Sequence, residues 1–196
     1  MSTKHLDLGC GSRPRNPFNC DEVFGVDIAK PQNVAEEIHI SIANLAIEKI
    51  PYPDNFFDSV SAFDFLEHVP RVLNGGEFGT RFPFIEVMNE IWRVLKKDGI
   101  FYALTPAYPS EEAFVDPTHV NFISNNTHAY FCEGRCFGKN YGFTGLFKPN
   151  RIERVYPRLH YKFNHGARTR LKTLFRTLKL KPKTHLLWEL KAIKHD

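Results

Sequence analysis

Thiols are scarce in this chain. Its four cysteines (Cys10, Cys20, Cys132 and Cys136) are irregularly spaced, which excludes a disulfide-stapled scaffold. There is no run of eighteen apolar residues and no apolar N-terminal leader, so neither a spanning helix nor a secretory signal is expected. The resulting expectation is a soluble, cytoplasmic protein with reduced thiols. Internal repeats and low-complexity segments are also lacking.

Two glycines, Gly9 and Gly11, follow an apolar run in "HLDLGCGSRPRNPF", but the common phosphate cradles are missing. A dinucleotide fingerprint needs a third glycine that opens a full helix; here Arg13 and Pro14 follow instead. The G-x-x-x-x-G-K-[ST] loop that grips a triphosphate and its magnesium is absent as well. NAD, ATP and GTP are therefore disfavoured.

What is present is a packed globular composition: 196 residues, 42% hydrophobic, 24% charged, with 18 phenylalanines. That length fits one domain, 1–196, with a cofactor half (1–105), a substrate insertion (106–150) and a C-terminal part (151–196). The formal net charge is +4, with most of the excess after residue 147. This permits an anionic partner without requiring one.

Apolar runs predict strands at Lys4–Leu8, Glu22–Asp27, His39–Ala43, Phe57–Ala62 and Ile100–Leu104. Asp64–Val69 reads as helical. Phe84, Val87, Met88, Ile91, Trp92 and Leu95 recur at three-to-four spacing and predict a helix over Pro83–Lys97, stopped by Gly99. Between the first two strands there is room only for a loop. Beyond Thr105, the Pro-, Asn- and His-rich segment to Lys148 is too long for a plain connection and is read as carrying substrate contacts. Arg151–Tyr156, Tyr161–Asn164 and His185–Ile193 are expected as strands, and Ala167–Leu180 as a basic amphipathic helix. Crossovers between strands favour a mostly parallel α/β sheet with its ligand at the carboxyl ends.

An acid stands on the first strand (Asp7) and another ends the second (Asp27). One carboxylate can meet an ammonium and the other can accept two ribose hydroxyls. An amino acid joined to a nucleoside without pyrophosphate matches both, and S-adenosyl-L-methionine is such a ligand. "LDLGCG", "VFGVDIA", "IPYPDNFFDSVSAFDFLEHV" and "EIWRVLKKDGIFYALTP", in that order, resemble successive motifs of class I S-adenosylmethionine-dependent methyltransferases of type 11. The resemblance covers residues 5 to 106. It implies a Rossmann-like seven-stranded sheet with a reversed last strand. It places Asp7, Gly9, Cys10 and Gly11 at the methionine end, Asp27 and Ile28 at the ribose, Asn44 and Leu45 at adenine, and Phe63 beside the cofactor.

Methyl transfer to a hydroxyl needs alignment and a proton acceptor. In "DPTHVNF", Asp116 and His119 are the candidate pair, the carboxylate orienting the imidazole; the alternative is an Asp-Pro turn with a capping role. Glu67 and His68 in "FLEHV" are a second candidate pair for positioning, or else a polar helix start. His128, Cys132 and Cys136, with His119, have a spacing that on a helix could hold zinc, but Gly134 weakens that helix, and no metal is expected. Cys10 is read as small packing rather than a nucleophile. The acceptor expected is a small molecule or glycan, methylated on oxygen. RNA or protein methylation, with the basic C-terminal helix as docking surface, and an inactive cofactor-binding protein are the alternatives. Nucleic acid is disfavoured because no RNA-binding module, zinc ribbon or "DPPY" tetrapeptide occurs. Peripheral membrane contact through the basic helix is left open, as is the oligomeric state.

Overall fold

The computed structural model describes residues 2–29, 38–77, 79–161 and 182–195. Among these described residues, nine strands and one α-helix run in the order β1 (Lys4–Leu8), β2 (Glu22–Asp27), β3 (His39–Ile42), β4 (Phe57–Phe63), β5 (Leu73–Asn74), β6 (Thr80–Arg81), α1 (Pro83–Val94), β7 (Leu95–Pro106), β8 (Phe147–Val155) and β9 (His185–Ala192). Seven form one sheet in the order β3-β2-β1-β4-β7-β9-β8, and β5 and β6 make a small hairpin. The first five strands of that sheet pair in parallel, while β9 runs antiparallel to both β7 and β8. The reversal expected at the last strand is therefore present.

Alternation along the strands sorts side chains onto two faces. Leu6, Leu8, Val60, Ala62, Phe101 and Ala103 point to one face and join the main core with Val87, Met88, Ile91 and Val94 of α1. Pro83 opens that helix, and the three-to-four spacing of its apolar residues supplies the buried stripe. The helix ends at Val94, three residues before the expected Lys97. Leu95 is already extended and pairs with Phe57, Asp98 takes a left-handed φ of 63°, and Lys96 reaches the Asp58 carboxylate at 2.8 Å.

His5, Asp7, Ser59 and Ser61 are buried on the other face. His5 bridges Ser59 and Ser61 at 2.7 and 2.8 Å, and the Ser61 hydroxyl donates to Asp7 Oδ1 at 2.6 Å. Burial lowers the His5 pKa to about 3, so this ring is a neutral hydrogen-bonding part of the sheet.

No helix forms over residues 9–21, as the prolines there predict. The expected helix over Asp64–Val69 is a single 3-10 turn, Leu66–His68. Strand β8 starts at Phe147, earlier than the predicted Arg151, and the chain from Ala107 to it carries 3-10 turns and isolated bridges, Ala107 to Ile123 and Cys132 to Phe147. The predicted helix Ala167–Leu180, and all but the first residue of the predicted strand Tyr161–Asn164, lie outside the described residues. Among the described residues, no helix is long and apolar enough to cross a membrane.

Candidate functional site

At the carboxyl ends of β1, β2 and β4 lies a cavity of about 300 Å³ lined by Gly9, Val26, Asp27, Ile28, Ala43, Asn44, Leu45, Asp64, Phe65 and His68, among others. Gly9, in its lining, starts a turn only glycine adopts without strain. Gly9 has φ +64° and Gly11 φ +58°, and a Cβ on Gly9 would fall 2.9 Å from Phe65 Cδ2. Gly9 and Cys10 donate to the Val26 carbonyl, which ties the loop to β2.

Asp27 ends β2 at the cavity wall. Its Oδ2 accepts the Gly11 N–H at 2.8 Å and its Oδ1 the Ala29 N–H at 3.3 Å, so the carboxylate is held in place by backbone. Asn44 caps the next turn: its Oδ1 accepts from Ala46, and its carbonyl accepts from Ile47 and Glu48. Leu45 supplies apolar wall beside it.

Four of the sequence-predicted cofactor residues are not among those lining this cavity. Asp7 is wholly buried on the opposite face, accepting from Ser61 and from the Arg15 N–H at 2.8 Å, and burial raises its pKa to about 6. Cys10 is buried, and burial pushes its thiol up to about 12, which fits packing and not nucleophilicity. Gly11 contributes its N–H to Asp27. Phe63 lies on the Asp7 face, with the Arg15 guanidinium 4.7 Å above its ring. Phe65 takes the place by the cavity instead, because Asp64 between them turns the chain with φ +48°.

The loop after β7 is laced onto the turn after β4. Val120 and Asn121 donate their N–H groups to the Glu67 carbonyl at 2.8 and 3.0 Å, and Asn121 Nδ2 donates to the Leu66 and Val69 carbonyls. This brings His119 to His68, ring centroids 4.7 Å apart. Asp116 does not orient His119 by a hydrogen bond: its Oδ2 is 4.0 Å from His119 Nε2. Asp116 Oδ1 instead accepts the Thr118 hydroxyl at 2.7 Å and the Thr118 N–H at 2.8 Å, bonds that lower its pKa.

With its proton committed to Asp116, Thr118 Oγ1 accepts from His68 Nδ1 at 2.9 Å. His119 Nδ1 faces the Ala113 carbonyl at 3.3 Å, and a carbonyl can only accept. In its neutral form each ring therefore carries its proton on Nδ1 and leaves Nε2 as the lone-pair nitrogen. Glu67 completes the group. It is 1% exposed, its Oε2 accepts from Thr105 at 3.0 Å, and burial, with Asp64 and Asp116 adding, raises its pKa to about 8. His128, Cys132 and Cys136 form no such group: among the described residues, Glu67, His68 and His119 are the cluster of three potential metal ligands.

Phe65, Asp64 and Thr118 were not singled out from sequence. A relay threonine leaves no spacing signal, and the swap of Phe63 for Phe65 turns on one backbone angle.

A methyltransferase domain model matches residues 6–103. A comparison of the sequence with curated proteins returned no match. Among solved structures, an S-adenosylmethionine dependent methyltransferase from Mesorhizobium loti superposes with a TM-score of 0.55 at 14% identity, covering 97% of this chain and 91% of that one. A SAM dependent methyltransferase from Archaeoglobus fulgidus gives 0.56 at 16% identity, covering 97% and 86%. The [4+2]-cyclase SpnF gives 0.58 at 16% identity, covering 99% and 76%. At such identities these likenesses speak for the fold. The motif match over half the chain, on a sheet with the reversed last strand and a glycine-lined cavity at its carboxyl edge, places this chain in the class I methyltransferase-domain family, an enzyme with S-adenosylmethionine as its cofactor.

Proposed function

We propose that the enzyme methylates a hydroxyl of a small molecule or glycan, with an imidazole of the His68–His119 pair as proton acceptor. The observation that carries this reading is His68 itself: it lines the cofactor cavity, and its Nδ1 is fixed by Thr118 and, through it, Asp116. An imidazole so oriented presents a lone pair on Nε2 with a carboxylate behind to stabilise the charge it gains.

In this reading Asp27 accepts the ribose hydroxyls with Ile28 beside it, while Asn44 and Leu45 flank adenine. Gly9 leaves room at the methionine end, and Cys10 and Gly11 hold the loop behind it, their N–H groups committed to the Val26 carbonyl and to Asp27. Asp7 and Phe63 act from behind, Asp7 by holding the Arg15 amide and so the loop. When bound, S-adenosylmethionine supplies an electrophilic methyl on a sulfonium. The chain's own work is to align the acceptor oxygen and take its proton.

Exposed aromatics support a ring-shaped acceptor. Tyr108, Phe114 and Phe122 stand exposed on the loop that carries His119, and Phe114 stacks on Phe122 at 4.7 Å. Such faces pack against sugar or aromatic rings. The four cysteines are free, in keeping with a reducing compartment such as the cytoplasm.

The test is calorimetry with S-adenosylmethionine and its demethylated product, followed by an acceptor library read by mass spectrometry. A methyl gain on oxygen is expected. Transfer confined to nitrogen or carbon, or to RNA or protein, would overturn the acceptor class.

A further inference from the structure

One oxygen beside the His68–His119 pair is left over. Glu67 Oε1 is buried and, among the described residues, has no hydrogen-bond partner. A buried carboxyl oxygen without a partner is costly, on the order of 1–3 kcal/mol, unless a donor or a cation meets it. One ligand atom each from Glu67, His68 and His119 lie within 4.8 Å of one another.

The surroundings of these three groups are those of metal ligands. Ligating histidines usually donate their second ring N–H to a backbone carbonyl, a carboxylate or a polar relay, which fixes the tautomer. His119 does so to the Ala113 carbonyl, and His68 to Thr118 backed by Asp116. Glu67 is steadied by the Thr105 hydroxyl on Oε2, while Oε1 is left without a hydrogen bond. The loop-to-turn hydrogen bonds from Val120 and Asn121 to the Glu67 carbonyl hold the two halves of the cluster together independently of any ion.

We propose that Glu67, His68 and His119 form a binding site for one divalent first-row transition cation such as Zn²⁺, Fe²⁺ or Co²⁺, at the edge of the cofactor cavity. Two imidazoles and one carboxylate suit these borderline ions; magnesium and calcium prefer all-oxygen sets. Three protein ligands also leave coordination positions open. Drawing each ligand to about 2.1 Å sets ligand atoms roughly 3.4 Å apart, so the cluster needs to close by an amount on the order of an ångström.

The binding stands on the cluster alone; its consequence for catalysis rests on the hydroxyl-acceptor reading. In the metal-free chain His68 and His119 stay available as proton acceptors; with a cation bound their lone pairs become ligands. As a Lewis acid it lowers the pKa of an acceptor hydroxyl, whose proton then leaves to solvent.

The experiment titrates the full chain, freed of metal by a chelator and dialysed, with Co²⁺ followed by visible absorption, then displaces Co²⁺ with Zn²⁺ in a calorimeter. One cation per chain is expected. His119→Ala and Glu67→Gln should each weaken binding by at least about 100-fold, and Thr118→Val by about 10- to 100-fold. Paired Cys132→Ser and Cys136→Ser changes should leave it intact. Circular dichroism and thermal melts check that each variant folds, and Glu67→Gln, close in shape, keeps the test open if His119→Ala does not. No stoichiometric binding, or binding indifferent to both His119→Ala and Glu67→Gln, would sink the site. Methyl transfer to oxygen that persists in chelator without cation binding removes this site and leaves the proposed function standing. Cation binding with no oxygen acceptor does the reverse.

Discussion

Thr118 Oγ1 lies 2.9 Å from His68 Nδ1, although the two residues are 50 positions apart in the chain. The contact makes one unit of the turn after β4 and the loop after β7. It also settles which nitrogen of His68 holds a lone pair, because the Thr118 proton goes to Asp116.

From this relay, His68→Ala is expected to lower kcat by about 100- to 10,000-fold, the range for removing a general base. Thr118→Val keeps the shape but frees the ring, and should lower kcat by about tenfold, the worth of one orienting hydrogen bond. Affinity for S-adenosylmethionine should hold in the Thr118 variant. Steady-state kinetics beside cofactor calorimetry check both; full turnover in His68→Ala would exclude it from proton transfer.

Asp27 should govern cofactor affinity. Its carboxylate is pre-placed by the Gly11 and Ala29 amides, so no ordering is needed on binding. Asp27→Ala is expected to weaken S-adenosylmethionine binding by about 10- to 100-fold, as for lost hydrogen bonds to a charged acceptor. Calorimetry measures it, and an unchanged Kd would place the ribose elsewhere.

Gly9 and Gly11 share a left-handed backbone but differ in space. A methyl on Gly9 meets Phe65, whereas one on Gly11 meets nothing within 4 Å. Gly11→Ala should therefore cost about 1–2 kcal/mol, the left-handed strain alone. Gly9→Ala should cost more and also weaken the cofactor, since Phe65 must shift into the cavity. Urea denaturation and calorimetry on the two variants separate strain from crowding. Equal losses in both would show that Phe65 yields freely.

The central strands β1 and β4 were legible because they are buried runs of apolar and β-forming residues. Lys4–Leu8 and Glu22–Asp27 match residue for residue, and Pro14 with Pro17 told of the missing helix. The end of α1 was not legible, because the apolar period runs on through Leu95 while pairing with Phe57 claims that residue for β7. In the site, Asp27, Asn44 and Leu45 came from motif order. The place of Phe65 depends on the φ of Asp64, and the His68–Thr118 contact on long-range hydrogen bonds to the Glu67 carbonyl. Neither leaves a periodic trace in a single sequence.

Asp7 ties stability to pH. Its folded pKa of about 6 stands above the ordinary 3.8, chiefly because burial disfavours the charged form, against the opposing bonds from the Arg15 N–H and Ser61. A carboxyl raised on folding contributes stability that is full below its unfolded pKa and is lost as pH rises through the folded one. Relative to Asp7→Asn, which cannot titrate, the native chain should thus gain stability as pH falls from about 6 to 4, by about 2–3 kcal/mol in all. The asparagine keeps one acceptor for Ser61 or Arg15 but not both, so it sets the baseline offset without altering the slope. Urea denaturation of the two proteins at several pH values between 4 and 7 reads that difference. A difference that stays flat across the window would mean that Asp7 remains ionised in its buried site, held by the Ser61 and Arg15 bonds.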